Sequence, residues 1–108
     1  MSESQDAILV LTNLPDRESA ERIARGLVGA RLAACVNILA PALSVYHWAG
    51  QVETADETPV LIKTLRRHYD KVESAIRERH PYELPEIIGV EISIGLPEYL
   101  DWIAAETE

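Results

Sequence analysis

One short segment of the chain brings an imidazole, a phenol and two carboxylates together at close spacing. It reads His80-Pro81-Tyr82-Glu83-Leu84-Pro85-Glu86-Ile87. Each proline fixes its own φ at about −65° and pushes the residue before it out of helical geometry. The polar side chains therefore stand on a stiff link, where a ligand or a metal ion could bind. A second interpretation stays open, because two prolines also end a helix well and loops are commonly polar.

His80 and Cys35 are the candidate metal ligands. Neutral imidazole is the commonest nitrogen ligand for Cu²⁺ and Zn²⁺, but a histidine at this position can also end a helix and favour its dipole. Cys35 lies in the apolar run Ala33-Ala34-Cys35-Val36, so a small core residue is the favoured interpretation. A thiolate ligand is the alternative if Cys35 faces a cleft. A strong site needs three or four ligands, which one chain does not obviously supply.

Two aromatic residues form a second candidate feature. In an extended segment, alternation places Tyr46 and Trp48 on one face together with Ser44. Aromatic rings so placed can stack on a ligand or pack across a subunit boundary. Packing is favoured, because aromatic residues are enriched at interface cores.

The elements that must position these residues follow from hydrophobic periodicity. It predicts a strand at 7–11, a helix from Asp16 to about Gly29 or Arg31, strands at 32–40, 43–48 and 59–65 with a returning stretch at 51–53, a helix at 67–79, a strand at 86–94 and a short helix after Pro97. This order is the split β-α-β pattern of ferredoxin-like α+β domains. We expect one domain over 1–108 with an ordered core at about 7–104. It should have an antiparallel sheet, helices on one face, a long hairpin within 33–65 and an extra C-terminal helix.

Charge and cysteine content narrow the function classes. Ten basic and 18 acidic residues give a formal net charge of −8, which argues against a general binder of nucleic acid or of anionic membranes. A single cysteine excludes an intramolecular disulfide and fits a reducing compartment. The acidic start at positions 1–6 lacks the pattern of a secretory signal, and no apolar run approaches membrane-spanning length. A cytoplasmic protein is expected.

Four segments together carry a family resemblance. They are Leu32-Ala33-Ala34-Cys35-Val36-Asn37-Ile38, the run from Ser44 to Glu53 with its Tyr-x-Trp-x-Gly pattern, Leu61-Ile62-Lys63-Thr64, and the proline-flanked segment that begins at His80. With these segments, the chain resembles the CutA divalent-cation tolerance proteins from about Ala7 to Ala104.

The resemblance implies a ferredoxin-like homotrimer in which the long hairpins pair between subunits, as in the PII signalling proteins. It also implies binding of copper and other divalent cations, without an established reaction. Two departures weaken a copper site of the family kind. Some members carry two adjacent histidines where this chain has Arg79 and His80, and some carry a cysteine where it has Thr12.

Several charged residues match the family pattern and define a possible inter-subunit cleft. The predicted cleft or ligand residues are Tyr46, Trp48, Glu53, Lys63, Tyr82, Glu83 and Glu86. If the charged ones meet between subunits, they form a polar pocket; if they lie apart, each is merely solvated.

Two hypotheses about function therefore stand ahead of a third. The first is a metal-binding trimer that acts in the response to metal ions. The second is a PII-like signalling or scaffold module that holds a small molecule or a partner segment in its clefts. An enzyme is the least favoured, because no nucleophile–base pair, Walker loop or Gly-x-Ser-x-Gly motif is present, and no organic cofactor is predicted.

Overall fold

The computed structural model describes residues 6–108, so the prediction about the first five residues lies outside the described part. The elements are β1 (Ala7–Leu14), α1 (Arg17–Gly29), β2 (Cys35–Ile38), β3 (Ala42–Trp48), β4 (Gln51–Leu65), α2 (Tyr69–Arg79), β5 (Ile87–Glu91) and α3 (Pro97–Glu106), with a 3₁₀ turn at Arg66–His68 before α2. No helix among residues 6–108 is long and apolar enough to span a bilayer.

The strands form one antiparallel sheet in the order β2-β4-β1-β5, and β3 extends it by pairing with β4. Strand β4 is the centre of this arrangement. Its C-terminal half pairs with β1, from Thr58 opposite Leu14 to Leu65 opposite Ala7, while β2 pairs along its other edge. The predicted ferredoxin-like α+β fold is confirmed.

Helices α1 and α2 cover one face of the sheet and form the main core. Buried residues of this core come from both helices and from the alternating positions of β1 and β4; they include Ile8, Val10, Ile23, Leu27, Val60, Ile62, Val72 and Ile76. Asp16 begins α1, because its carboxylate accepts a hydrogen bond of 2.7 Å from the Ser19 N–H. The apolar spacing of Ala20, Ile23, Ala24, Leu27 and Val28 predicts one buried stripe on α1. Val28 is nevertheless exposed, since it lies at the edge of that stripe in the last turn.

The extra helix α3 packs on the opposite face. Ile103 on α3 is buried against Ala7 and Leu65, which alternate with the residues that face α1 and α2. Helix α3 covers only one end of this second face. The apolar residues Ile88 and Val90 of β5 stay half exposed beside it.

The long hairpin is more continuous than the sequence predicted. Strand β4 runs without a break for 15 residues, because the polar stretch before Pro59 keeps extended geometry through its pairing with β3. The turn between β3 and β4 is tight: Ala49 and Gly50 both have positive φ, 51° and 80°, and Trp48 pairs with Gln51. This is the geometry of a two-residue hairpin turn that follows the strand twist.

Candidate functional site

A groove of about 820 Å³ lies between the hairpin and the proline-flanked segment, and we call it the hairpin groove. Its lining residues are Asn13, Ser44, Val45, Tyr46, Trp48, Ala55, Glu57, Pro81, Tyr82, Glu83, Leu84 and Glu86. The lining thus combines three aromatic rings with three carboxylates, and no lining residue is Lys, Arg or His.

The wall on the hairpin side follows from strand alternation. On β3 the side chains of Ser44, Tyr46 and Trp48 share the groove face, as the sequence predicted, and on β4 Ala55 and Glu57 do so. Tyr46 and Trp48 remain 42% and 50% exposed. Within one chain, these two rings therefore keep free surface for a ligand or for another subunit.

His80 holds the opposite wall in place. It is the C-cap residue of α2, with extended φ and ψ, as the proline that follows it demands. Its ring is buried: Nε2 lies 2.6 Å from the Asn13 carbonyl oxygen, and Nδ1 accepts a 3.2 Å hydrogen bond from the Tyr82 N–H. Because Nδ1 accepts, Nε2 carries the proton and donates to the carbonyl. Neither nitrogen is then free to bind a metal in this conformation.

Tyr82 connects this fixed histidine to the groove. Its ring centroid lies 4.7 Å from that of His80, and its hydroxyl is hydrogen-bonded to the Glu57 carboxylate on the other wall. Desolvation, followed by this hydrogen bond and the charge of Glu57, raises the pKa of Tyr82 to about 12. The Tyr82–Glu57 pair therefore bridges the two walls of the groove at neutral pH.

A second polar contact fixes another carboxylate. Asn13 Nδ2 donates a 3.0 Å hydrogen bond to Glu86 Oε1, while the backbone carbonyl of the same residue accepts from His80. The end of β1 thus anchors the proline-flanked segment at both of its ends.

The structure separates the predicted site residues into two groups. Those that line the hairpin groove are Tyr46, Trp48, Tyr82, Glu83 and Glu86. Glu53 is exposed on β4, opposite Tyr46 in the hairpin. Lys63 lies in the sheet part of β4, where its Nζ is 5.7 Å from the Tyr99 ring centroid. Within one chain, Lys63 therefore does not join the carboxylates of the groove.

Cys35 lies far from His80. It is partly buried on β2 and pairs with Lys63, which pairs with Leu9 on β1. His80 contacts Asn13, four residues farther along β1, which is about 13 Å at about 3.3 Å per residue. Among residues 6–108, no group of three or more His, Cys, Asp or Glu side chains is arranged to hold a metal ion. One chain therefore does not offer the donor set of a tight Cu²⁺ or Zn²⁺ site.

Sequence reasoning missed the two residues whose polar contacts tie the groove walls together, Asn13 and Glu57. Glu57 lies in the polar stretch between the predicted segments 51–53 and 59–65, and continuing the two-residue strand period backwards from Pro59 places Glu57 on the same face as Ala55. For Asn13, no local signal exists, since its partners are 67 and 73 residues away in sequence.

Comparison with known families gives one result over almost the whole chain. The family model described as "CutA1 divalent ion tolerance protein" matches residues 8–106. The Divalent-cation tolerance protein CutA of Thermus thermophilus is 41% identical over 99 residues, which are 92% of this chain and 96% of that protein.

Solved structures agree with this result. The crystal structure of CutA from Xylella fastidiosa has a TM-score of 0.93 and 48% identity, covering 95% of this chain and 99% of that one. The periplasmic divalent cation tolerance protein CutA from Archaeoglobus fulgidus has a TM-score of 0.92 and 37% identity, covering 94% and 99%.

Proposed function

Because the chain belongs to the CutA1 divalent ion tolerance family, we propose that it acts in the tolerance of divalent metal ions as a cytoplasmic, non-enzymatic homotrimer. In this proposal it binds such ions, copper among them, weakly. The family match over residues 8–106 is the observation that carries the tolerance function.

Unsatisfied edges and apolar surface support assembly. The outer edges of β5 and of β3 have no strand partner among residues 6–108, and such edges tend to pair with another chain. Leu43, Val45 and Val52 on the hairpin are each more than 60% exposed. Because the two edges belong to different strands, copies that pair through them do so head to tail, an arrangement that forms a ring when the rotation between copies closes. Three copies are the number that the family resemblance implies.

The donor residues limit how a metal ion would be held. With both nitrogens of His80 engaged and Cys35 about four strand positions away, a site with three or four protein ligands has to combine side chains from more than one copy. The net charge of −8 favours cations near the surface without specifying a site. His80 and Cys35 stay predicted ligands, and His80 has to give up one of its two hydrogen bonds, to the Asn13 carbonyl or from the Tyr82 N–H, before it can bind a metal ion.

Copper titration tests the metal part of this proposal. We expect saturable Cu²⁺ binding, in whole-number ratio to the trimer, in a buffer that does not chelate copper. His80→Ala should weaken it if His80 is a ligand, and the exposed His47→Ala variant is the matched control. Equal affinity of His80→Ala and the unaltered protein would remove His80 from the site, and the absence of saturable binding would overturn the metal function.

Two further measurements test the oligomeric state of the protein and its location in the cell. Sedimentation should give the mass of a trimer at micromolar concentration, and a folded monomer there would contradict the assembly. Cell fractionation tests the cytoplasmic location, which is of interest because the Archaeoglobus relative is described as periplasmic.

A second function is favoured by the hairpin groove itself. We propose as the alternative a trimeric binding module in which the groove holds a small molecule or a partner segment and metal binding is incidental. The half-exposed Tyr46 and Trp48 beside fixed carboxylates support it. A thermal-shift screen of metabolites tests it, because a ligand of the native state raises the apparent stability.

A further inference from the structure

The charge of the hairpin groove selects the sign of its ligand. Glu57, Glu83 and Glu86 line it, and no lysine, arginine or histidine does. In the groove as one chain builds it, a phosphate-bearing ligand would meet three like charges without a cationic partner, whereas a cation would meet complementary ones. The groove is therefore unsuited to nucleotides and suited to cations.

The aromatic side chains add a second attraction of the same sign. Tyr46 and Trp48 keep about half of their surface exposed beside the groove, and the faces of such rings attract ammonium and guanidinium groups. These rings also offer apolar surface, which an inorganic ion cannot use but an aliphatic chain can cover. Rings and carboxylates together fit an organic cation.

Because the carboxylates are spread over the groove, we expect its ligand to carry more than one positive charge. Glu57 is fixed by the Tyr82 hydroxyl on one wall and Glu86 by Asn13 on the other. They are nonetheless dispersed, because no three acidic groups among the described residues converge on a point where a metal ion could sit. A volume of about 820 Å³ also holds a molecule of many atoms.

We propose that the hairpin groove binds an organic polycation, with two or more ammonium or guanidinium groups on an aliphatic chain. The chain lies over Tyr46 and Trp48, and its charges face Glu57, Glu83 and Glu86. This inference rests on the second function proposed above and names the class of ligand for it.

Calorimetric titration of the assembled protein with spermidine tests this proposal. We expect saturable binding that weakens as salt rises from about 20 to about 150 mM, because the Debye length shortens to about 8 Å at the upper concentration and the charges are then screened. Putrescine should bind more weakly than spermidine. The uncharged 1,4-butanediol, of the same chain length as putrescine, and the anionic ATP should not bind.

Paired variants assign the site. Glu57→Gln should weaken spermidine binding about fivefold, while Asp56→Asn, the same change of charge at the neighbouring position of β4 that points to the other face, should leave it unchanged. Trp48→Leu should weaken it about threefold, and Trp102→Leu on α3 should not. Circular dichroism and sedimentation of each variant verify that fold and assembly are retained.

Several results would overturn the proposal. They are the absence of spermidine binding at millimolar concentration, equal effects of Glu57→Gln and Asp56→Asn, and binding of ATP with rejection of spermidine. Capture of a lysine-rich peptide but not of the free amine would also overturn it, by assigning the groove to a protein partner. If spermidine fails while another metabolite raises the melting temperature in a Trp48-dependent way, this inference falls and the binding-module function stands.

Discussion

The two halves of β4 lie in opposite environments although they belong to one uninterrupted strand. From Thr58 to Leu65 the strand is held between β1 and β2, and Val60 and Ile62 are 0% exposed under the helices. From Gln51 to Glu57 it pairs only with β3, and Val52 is 70% exposed. The sheet half of β4, Thr58 to Leu65, has strand partners on both sides within one chain, whereas the hairpin half, Gln51 to Glu57, has a partner on one side only.

This difference teaches where the function lies. A two-stranded hairpin is at best marginally stable in water on its own. This hairpin also exposes the apolar side chains of Leu43, Val45 and Val52. It also carries one wall of the hairpin groove, while the sheet half carries the core. The packing that stabilises one chain therefore lies in the sheet half of β4, and the surface that we propose for contact with partners or ligands lies on the hairpin half.

The largest expected effect on stability comes from the loss of a core side chain in the sheet half of β4. Ile62→Ala should lower the free energy of unfolding by about 3 kcal/mol, because it leaves a cavity under α1 and α2. Val52→Ala on the hairpin half of the same strand should cost less, because Val52 is 70% exposed within one chain and its removal leaves no cavity in the core. Denaturant titration measures both, and an equal loss would show that the hairpin half is packed as tightly as the core.

Assembly gives the next largest effect. Val90→Asp places a charge on the half-exposed face of β5 and should raise the dissociation constant of the trimer about a hundredfold, because a buried unpaired charge is costly. Sedimentation over a dilution series measures this. Val28→Asp, the same change at an exposed position of α1, is the control, and dissociation of both variants alike would speak against β5 as an interface.

His80 joins the two regions, and its removal should have an intermediate effect. His80→Ala leaves the Asn13 carbonyl and the Tyr82 N–H without their partners, which should cost about 2 kcal/mol of unfolding free energy. The exposed His47 offers a matched control with little expected loss. A neutral outcome for His80→Ala would mean that water replaces both hydrogen bonds and that the ring does not hold the groove wall.

The smallest effect is a shift in titration. The pKa of Tyr82 is raised to about 12 by desolvation and by Glu57, so the unfolded chain loses this proton near pH 10 while the folded protein keeps it. The resulting stability is fully present below pH 10 and is lost as pH rises through about 12. Absorbance at the phenolate band should show a tyrosine with a pKa of about 12 that is missing in Tyr82→Phe and titrates earlier in Glu57→Gln, while Tyr69, whose pKa is also raised by desolvation, contributes equally in all three proteins. An unchanged pKa of Tyr82 in Glu57→Gln would mean that Glu57 and Tyr82 do not interact across the groove.

Local patterns were sufficient for most of the fold. The apolar stripe of α2 at Val72 and Ile76, the N-cap at Asp16 and the hairpin turn at Ala49 and Gly50 are set by residues near one another in sequence. The continuity of β4 through residues 54–58 was not predicted, because its polar residues extend only through pairing with β3. Backbone pairing there overrides local propensity.

The candidate site was predictable only in part. Tyr46, Trp48, Tyr82, Glu83 and Glu86 were identified from their types and patterns, and the structure places all five at one groove. Glu53 and Lys63 matched the same family pattern but lie elsewhere in the chain. Their relation to the groove depends on how copies are arranged, which no pattern along one chain specifies.

The sequence by itself determined the order of elements, the family and the chemical types available for a site, because periodicity, capping and motifs act over a few residues. Tertiary structure alone decided that Asn13 holds both His80 and Glu86, and that Glu57 meets Tyr82 across the groove. Those contacts join residues 25 to 73 positions apart. Only the register of the sheet, fixed by burying one face of each strand, brings them within hydrogen-bonding distance.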